Sequence, residues 1–214
     1  NIGLYVQLKV FSSDIILTPI AAIVLIVTMI YLNYQKIGAS VQANREYQHL
    51  ERMAYLGRLT GLFNRQRYEE IVNDMQEKHV KDYAVIYMDV NNLKYVNDKY
   101  GHEMGDRYIL AVSSIIKDLF SECGMCARVG GDEFIVIAQR VNPQKMNQLL
   151  QRFDEKMEDV NKRKDFPFFS SAAYGIIYSN AGSAKPIMDA IERADEMMYE
   201  KKKEIKKKYG LPVR

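Results

Sequence analysis

Apolar and polar residues alternate over the first ten positions of the chain. Positions 2, 4, 6, 8 and 10 are all apolar, which is the period of a half-buried β-strand. We therefore expect residues 2–10 to form a strand. The chain begins with Asn1 rather than Met, so we expect residues 1–14 to be the end of an upstream extracytoplasmic domain, and the whole chain to be the C-terminal part of a larger sensor.

An uninterrupted apolar run follows and covers residues 15–35 without a charged side chain. A helix of this length at 1.5 Å per residue spans about 30 Å, which is the thickness of the hydrocarbon core of a bilayer. Basic side chains are concentrated after the run: Lys36, Arg45, Arg52 and Arg58. The positive-inside rule then predicts a single span in the cell (inner) membrane, with the C-terminal side in the cytoplasm.

Residues 36–57 predict a polar helix whose apolar positions recur at heptad-like intervals. The intervals slip once, between Val41 and Tyr47. This pattern is typical of a short parallel coiled coil with a stutter. A solvated single helix is the alternative.

From residue 58 to residue 214 short apolar runs alternate with amphipathic stretches. Predicted helices cover residues 65–76, 92–100, 106–120, a stretch beginning at Pro143, and 186–208; predicted strands cover residues 83–88, 126–129, 134–138 and 168–178. The Gly-Gly pair at 130 and 131 predicts a tight antiparallel hairpin. We therefore expect an α/β domain with a mixed central sheet flanked by helices.

The composition is that of a globular protein, and its charges and cysteines bear on which kinds of site are expected. The chain has 48% hydrophobic and 27% charged residues, as globular proteins do. Its net charge of +3 comes from the lysines of residues 201–208, which predicts no nucleic-acid-binding face. Cys123 and Cys126 form a single CxxC without a second Cys or His pair at zinc spacing, so we expect reduced thiols.

Two carboxylates stand at the ends of apolar strands, where packing gives no reason for a charge. Asp89 closes one strand, and Asp132 follows the glycine pair of the hairpin. Mg²⁺ binds through one or two carboxylates together with substrate phosphates, and glycines leave backbone N–H groups open to anions. A Gly-Gly-Asp sequence is also an ordinary hairpin turn, so these residues alone leave both interpretations open.

The segment Arg-Val-Gly-Gly-Asp-Glu-Phe at residues 128–134 resembles the signature of the GGDEF family of diguanylate cyclases. Four further motifs of that family have counterparts in the same order: LTGLFNR at 59–65, DVNNLKYVND at 89–98, YGH with GD between 100 and 106, and AD, Y and K between 194 and 202. The similarity covers about residues 59–208.

The resemblance implies an α+β palm-like fold and a bacterial signalling enzyme. Its expected reaction is the condensation of two GTP molecules into cyclic dimeric GMP, with release of two pyrophosphates. The family's enzymes act as homodimers with two Mg²⁺ ions in each active site, and Mn²⁺ is an alternative ion. A degenerate module that binds GTP and relays signals without turnover is the alternative function.

The same resemblance implies roles for individual residues. The metal ligands would be Asp89, the carbonyl of Val90, and Asp132, which is also the candidate base. Glu133 and Lys94 complete the expected catalytic residues, Glu133 as a metal or backbone-orienting group. The phosphate-binding residues would be Lys202, Lys206, Gly130 and Gly131, although the family usually has Arg where this chain has Lys206.

Asn97 and Asp106 match the guanine-binding positions of the family. A carboxylate can accept both N–H donors of the guanine edge, whereas N1 of adenine is an acceptor and repels it. The alternatives are a helix N-cap for Asp106 and a polar residue on a helix surface for Asn97.

One departure from the family predicts a difference in regulation. Many members carry Arg-x-x-Asp before the hairpin as an inhibitory site for the product. The matching positions here are Ser121, Glu122, Cys123 and Gly124. We therefore expect no inhibitory product site of that type.

Overall fold

The structure is a computed structural model that describes residues 2–180 and 185–209, and it describes their side chains except at residues 2–21 and 47–52. The chain divides into two compact units, Asn1–Arg52 and Met53–Arg214. Each unit is considered by itself.

Helix α1, Ile2–Tyr55, accounts for almost the whole N-terminal unit. The predicted strand over residues 2–10 is therefore wrong. A strand needs a neighbour for its backbone N–H and C=O groups, and residues 2–10 have no strand partner in the described part of the chain. A helix satisfies these groups within itself. The linker over residues 36–57 is helical as predicted, up to Tyr55.

One segment of α1, Ala22–Glu46, is long and apolar enough to cross a bilayer, by length and composition alone. Its large apolar side chains are exposed; Ile23, Leu25 and Leu32 are each 60 to 64% accessible. The predicted span over residues 15–35 begins among residues whose side chains lie outside the described part.

The C-terminal unit is built on a four-stranded sheet in the order β2-β3-β1-β4. The strands are β1 Tyr83–Val90, β2 Gly124–Arg128, β3 Glu133–Gln139 and β4 Ala172–Ser179. The helices are α2 Arg65–Glu77, α3 Leu93–Tyr100, α4 His102–Phe120, α5 Pro143–Arg163 and α6 Ile187–Tyr209. The α/β class with a central sheet flanked by helices is confirmed.

All three ladders of this sheet are antiparallel, whereas the sequence predicted a mixed sheet. The connection from β1 through α3 and α4 does lead to a parallel strand, β2, but the hairpin inserts β3 between them. The connection from β3 through α5 likewise leads to a strand that runs parallel to β3, namely β4. These two strands do not pair, because β1 lies between them. Among the described residues, parallel pairing is confined to an isolated bridge between Phe63 and Ala127.

Alternation along the strands separates two hydrophobic cores on the two faces of the sheet. On one face Ile86, Met88 and Phe134 pack among the buried residues of α4 and α5. On the other face Val85, Ile135 and Ile137 pack against α2 and α6. Asp89 shares the second face with Val85, because both lie at alternate positions of β1, and it is therefore directed towards the side of α6.

The two largest differences between predicted and observed element boundaries in this unit have identifiable reasons. Helix α4 begins at His102 rather than at 106, because Gly101 takes a φ of 86° and ends α3 where α4 starts. Strand β4 begins at Ala172 rather than at 168. The Asn161 side chain satisfies both backbone groups of Ser170, so the backbone there has no need of a strand partner.

Cys126 is buried and Cys123 is partly buried, and both are free thiols. Burial raises the pKa of the Cys126 thiol to about 12, and the neighbouring Cys123 adds to this. The prediction of reduced, unpaired thiols agrees with this arrangement.

Candidate active site

The ends of β1 and β3 bring the two acidic motifs together. The backbone N–H of Val90 donates to the carbonyl of Asp132 at 2.9 Å, and Asp89 is the cross-strand partner of Glu133. The predicted metal ligands Asp89, Val90 and Asp132 thus meet at one edge of the sheet.

Asp89 is a buried carboxylate, with 6% of the residue exposed. The Nζ atom of Lys202, on α6, lies 2.6 Å from its Oδ1 atom. The Lys202 ammonium is therefore the cation that balances this buried oxygen. Burial raises the pKa of Asp89 to about 6, Lys202 opposes this rise, and the Asp132 and Glu133 carboxylates add to it. This charge is therefore costly without a cation beside it.

Arg128 fixes the turn between β2 and β3. Its Nε and Nη2 atoms donate to the carbonyl of Gly131 at 3.2 and 2.6 Å. Burial lowers the pKa of the Arg128 guanidinium, while the Asp106 and Asp132 carboxylates oppose that change. The guanidinium is therefore close enough to both carboxylates for their charges to act on it.

The two glycines of the turn have different surroundings. Gly131 is exposed, and a Cβ there would meet nothing within 4 Å. A Cβ on Gly130 would collide with the Glu133 carboxylate. Gly131 therefore leaves open space beside the backbone, whereas the missing side chain of Gly130 makes room for Glu133.

A cleft of about 520 Å³ lies beside this edge, between α3 and α6. It is lined by Asp132 and by three lysines that the sequence assigned to catalysis or phosphate binding: Lys94, Lys202 and Lys206. Asp98, Lys203 and the exposed tyrosines Tyr95 and Tyr199 complete its rim. The cationic lining suits a polyphosphate, and Asp132 suits the cation that accompanies one.

The two predicted guanine-binding residues also lie side by side. A Cβ on Gly105 would collide with the Oδ1 atom of Asn97, so the Asn97 amide packs on the backbone directly before Asp106. Asp106 lies within α4, and the N-cap is Gly101. The N-cap alternative for Asp106 is therefore wrong. Neither residue lines the lysine cleft.

The sequence assigned no separate role to three groups that the structure links to this site. Arg128 holds the turn, Tyr199 lines the cleft, and Tyr87 lies near Glu133. Burial raises the pKa of Tyr87, and the Glu133 and Asp195 carboxylates raise it further. The alternation of β1 indicated only that Tyr87 and Asp89 share a face.

The described residues contain no group of three or more His, Cys, Asp or Glu side chains that could hold a metal ion by itself. The donors at the edge still fit Mg²⁺, since the buried Asp89 carboxylate is close enough to the Asp132 carboxylate for their charges to interact, and a lysine already occupies the place of a cation beside it. Mg²⁺ takes its remaining ligands from substrate phosphates and water. Asp89, the Val90 carbonyl and Asp132 could hold such an ion together with a bound polyphosphate.

Comparison with known families gives one match, to the family described as Diguanylate cyclase, GGDEF domain, over residues 54–208. That range contains all the site residues discussed above.

Individual relatives agree on the family and differ in what their names say they do. The chain is 29% identical over 72% of its length to the "Probable diguanylate cyclase DgcJ" of Escherichia coli and spans 31% of that protein. It is 30% identical over 66% of its length to the "Cyclic di-GMP phosphodiesterase NbdA" of Pseudomonas aeruginosa and spans 18% of it. The chain thus covers less than a third of either relative.

A solved structure shares the fold. It contains the coiled coil and GGDEF domain of DgcB from Caulobacter crescentus in complex with c-di-GMP. The TM-score is 0.62 at 23% identity, and the match covers 78% of this chain and 92% of the other.

Proposed function

Because this chain belongs to the GGDEF family, we propose that it condenses two GTP molecules into cyclic dimeric GMP. The observation that carries the proposal is the hydrogen bond from Val90 N to Asp132 O. It joins two acidic motifs, far apart in sequence, at the mouth of a cleft lined by four lysines. That combination supports a triphosphate bound with divalent cations.

In this proposal Asp89, the Val90 carbonyl and Asp132 hold two Mg²⁺ ions in each site, or Mn²⁺ in their place. When bound, such ions neutralise triphosphate charge and lower the pKa of the attacking hydroxyl. Asp132 accepts the proton of that hydroxyl, and Glu133 orients the turn. With a cation held beside Asp89, Lys202 would be free to join Lys94 and Lys206 in binding the phosphates.

Guanine selection falls to Asn97 and Asp106. The Asp106 carboxylate is exposed and can accept from N1–H and N2–H of guanine. Adenine presents an acceptor at N1 and leaves that carboxylate unpaired, which costs binding energy. The lysine cleft and the guanine-binding pair are separate features, as the two ends of one nucleotide require.

The reaction balances between two nucleotides. The 3′-oxygen of each GTP attacks the α-phosphorus of the other, its proton leaves to Asp132, and the bond to the bridging oxygen of pyrophosphate breaks. Two such steps close the ring and release two pyrophosphates. Because one protomer holds one GTP, two protomers must face each other in a homodimer. The helical linker over residues 36–57 is the proposed dimerising segment.

We place the catalytic unit, residues 58–214, in the cytoplasm, tethered by a membrane span over residues 15–35. Supporting this, α1 carries a bilayer-length segment with exposed apolar side chains. Large contiguous exposed apolar surface is unusual on a soluble monomer. Residues 1–14 would then lie on the other side of the membrane.

A GTP-binding module without turnover is the second candidate. It is favoured by one observation, the similarity to NbdA, whose name states a phosphodiesterase activity. Against it stands the presence in this chain of the proposed metal ligands Asp89 and Asp132 and of the proposed guanine-binding residues Asn97 and Asp106.

The experiment uses the whole chain in lipid nanodiscs, incubated with GTP and Mg²⁺ and followed by mass spectrometry. The proposal expects cyclic dimeric GMP and two pyrophosphates per product. Bound but unchanged GTP at high protein density would establish the non-catalytic module instead. Absence of GTP binding would refute both candidates.

A further inference from the structure

The hydroxyl of Tyr108, on α4, lies in the core at the point where three segments meet. It accepts a hydrogen bond from the N–H of Ser171 at 2.8 Å and donates to the carbonyl of Ser171 at 2.7 Å. The carbonyl of Asn91 lies 3.4 Å away. Tyr108 is fully buried, with 0% of the residue exposed.

Asn91 connects the same point to the end of β1. Its backbone N–H donates to the carbonyl of Ser171 at 2.9 Å, and its Nδ2 atom donates to the hydroxyl of Ser171 at 3.0 Å. Asn91 is 1% exposed and directly follows Val90. The hydroxyl of Tyr108 therefore ties α4 to the backbone that carries the proposed metal ligands.

Helix α4, which Tyr108 ties to the end of β1, also carries Asp106, one of the residues proposed to bind guanine. Asp106 lies two positions before Tyr108 on α4, and residues two apart on a helix point to nearly opposite sides. Asp106 accordingly faces solvent while Tyr108 faces the core. A shift of α4 relative to β1 would change the separation of Asp106 from Asp89 and Val90.

Packing alone does not account for the hydroxyl. The Tyr108 ring contacts Phe166 and Phe168, with centroids 5.6 and 5.2 Å away, and a phenylalanine ring would make the same contacts. The hydroxyl adds hydrogen bonds to Ser171, which directly precedes the first residue of β4. Buried hydrogen bonds of this kind fix one arrangement of the elements that they join.

We propose that the Tyr108 hydroxyl is a positioning group that sets the distance between the guanine-binding helix and the metal-binding edge of the sheet. The inference rests on the proposed function, because it assigns the two ends of the connection to the two ends of GTP. Binding both ends of one ligand is stronger than binding either alone only when their separation in the protein matches the ligand. The Tyr108 hydroxyl should therefore raise the affinity for the whole nucleotide, but not the affinity for guanosine or pyrophosphate alone.

The test compares Tyr108→Phe with Tyr83→Phe as a matched control. Tyr83 is also a buried tyrosine, and its hydroxyl donates to the carbonyl of Lys185 at 2.6 Å. It lies at the opposite end of β1 from Asp89. Three ligands are titrated by calorimetry or ligand-observed NMR: guanosine, pyrophosphate with Mg²⁺, and α,β-methylene-GTP with Mg²⁺, which resists the reaction.

Tyr108→Phe is expected to weaken the GTP analogue about tenfold while guanosine and pyrophosphate change less than about twofold. Tyr83→Phe is expected to leave all three affinities unchanged. If Tyr108→Phe binds the analogue like the wild type, or loses all three ligands equally, the positioning role is refuted. If the wild type binds none of them, the proposed function fails and the inference falls with it.

A second variant covers the case in which Tyr108→Phe does not fold. Ser171→Ala removes the hydroxyl that accepts from Asn91 and leaves the backbone partners of Tyr108 in place. It is expected to weaken the analogue by about threefold, again without a change for the separate parts. An equal loss for all three ligands, or no loss, would refute the connection.

Discussion

The Nζ atom of Lys202 lies 2.6 Å from the Oδ1 atom of Asp89, at the buried end of β1. A residue proposed to bind phosphate is thus paired with a residue proposed to bind metal. The pairing has a simple electrostatic reason, because a carboxylate that is only 6% exposed needs a cation. Lys202 supplies that cation in the absence of a metal ion and competes with any ion that would replace it.

Replacing Lys202 with Met should therefore strengthen the binding of a lone divalent ion. We expect an affinity for Mn²⁺ about tenfold higher in the nucleotide-free protein, since a charge at ion-pair distance opposes the ion. The measurement is electron paramagnetic resonance at pH 8, above the Asp89 pKa of about 6 in the wild type. Because the loss of Lys202 raises that pKa, the titration of the variant is repeated at a second, higher pH.

Lys203→Met is the control for this prediction. Lys203 lines the same cleft but pairs with Glu200, so its loss should leave Mn²⁺ affinity nearly unchanged. Equal affinities for Lys202→Met and the wild type would mean that Lys202 does not compete for the metal site.

Asp106→Ser should relax the choice between GTP and ATP. The preference for GTP in competition binding should fall by at least about tenfold, because the carboxylate no longer pairs with the guanine edge. Glu103→Ser, in the first turn of the same helix, is the control for the loss of a negative charge. Selectivity that survives Asp106→Ser would exclude Asp106 from guanine recognition.

Product inhibition through a site of the Arg-x-x-Asp type should be absent. Introducing the Arg and the Asp at positions 121 and 124 should not restore it. A Cβ on Gly124 would collide with the carbonyl of Ile137 and lie 2.6 Å from the Cα of Ala138. Gly124→Asp should therefore lower the melting temperature by several degrees or more. Ser121→Arg, at an exposed position, should change it little.

The kinetic part of this prediction is a progress curve with GTP and added micromolar cyclic dimeric GMP. If the inhibitory site is absent, the rate of the reaction should be the same with and without added cyclic dimeric GMP. Strong non-competitive inhibition would reveal a product site elsewhere in the protein.

The two cysteines should differ in reactivity over the ordinary pH range. Burial raises the pKa of Cys126 to about 12, so its thiol stays protonated and shielded between pH 7 and 9. Ellman's reagent should then titrate one thiol in the folded protein, Cys123, and both in urea. Rapid reaction of both thiols, or neither in urea, would contradict free cysteines with one of them buried.

The sequence predicted the elements of the C-terminal unit well where local chemistry decides them. Pro143 begins α5 after Asn142, which caps the helix through its side chain, and Gly101 ends α3. It failed at residues 2–10, where alternation matched a strand for which the described chain offers no partner. It also placed the start of β4 too early, because Asn161 and Tyr108 satisfy the backbone of Ser170 and Ser171 from other elements.

The sequence could predict which residues belong to the candidate site, but not which of them contact one another. Motif residues such as Asp89 and Asp132 stand out in the sequence as charges beside apolar strands. The pairing of Lys202 with Asp89 and the hydrogen bonds of Tyr108 join residues on different elements. Such contacts depend on how the elements pack, which periodicity and motif spacing do not contain.

Asp132 and Asp89 are proposed to form a metal site for GTP at the edge of the sheet, and loss of one of these carboxylates should stop the reaction. Pyrophosphate release from GTP and Mg²⁺ is compared between Asp132→Asn and Asp98→Asn, two carboxylates that line the same cleft. If Asp132 holds the metal ion, pyrophosphate release by Asp132→Asn should be at least about a hundredfold slower than by the wild type. Asp98→Asn should release pyrophosphate at a nearly normal rate. Near-normal release by folded Asp132→Asn would contradict the proposed metal site.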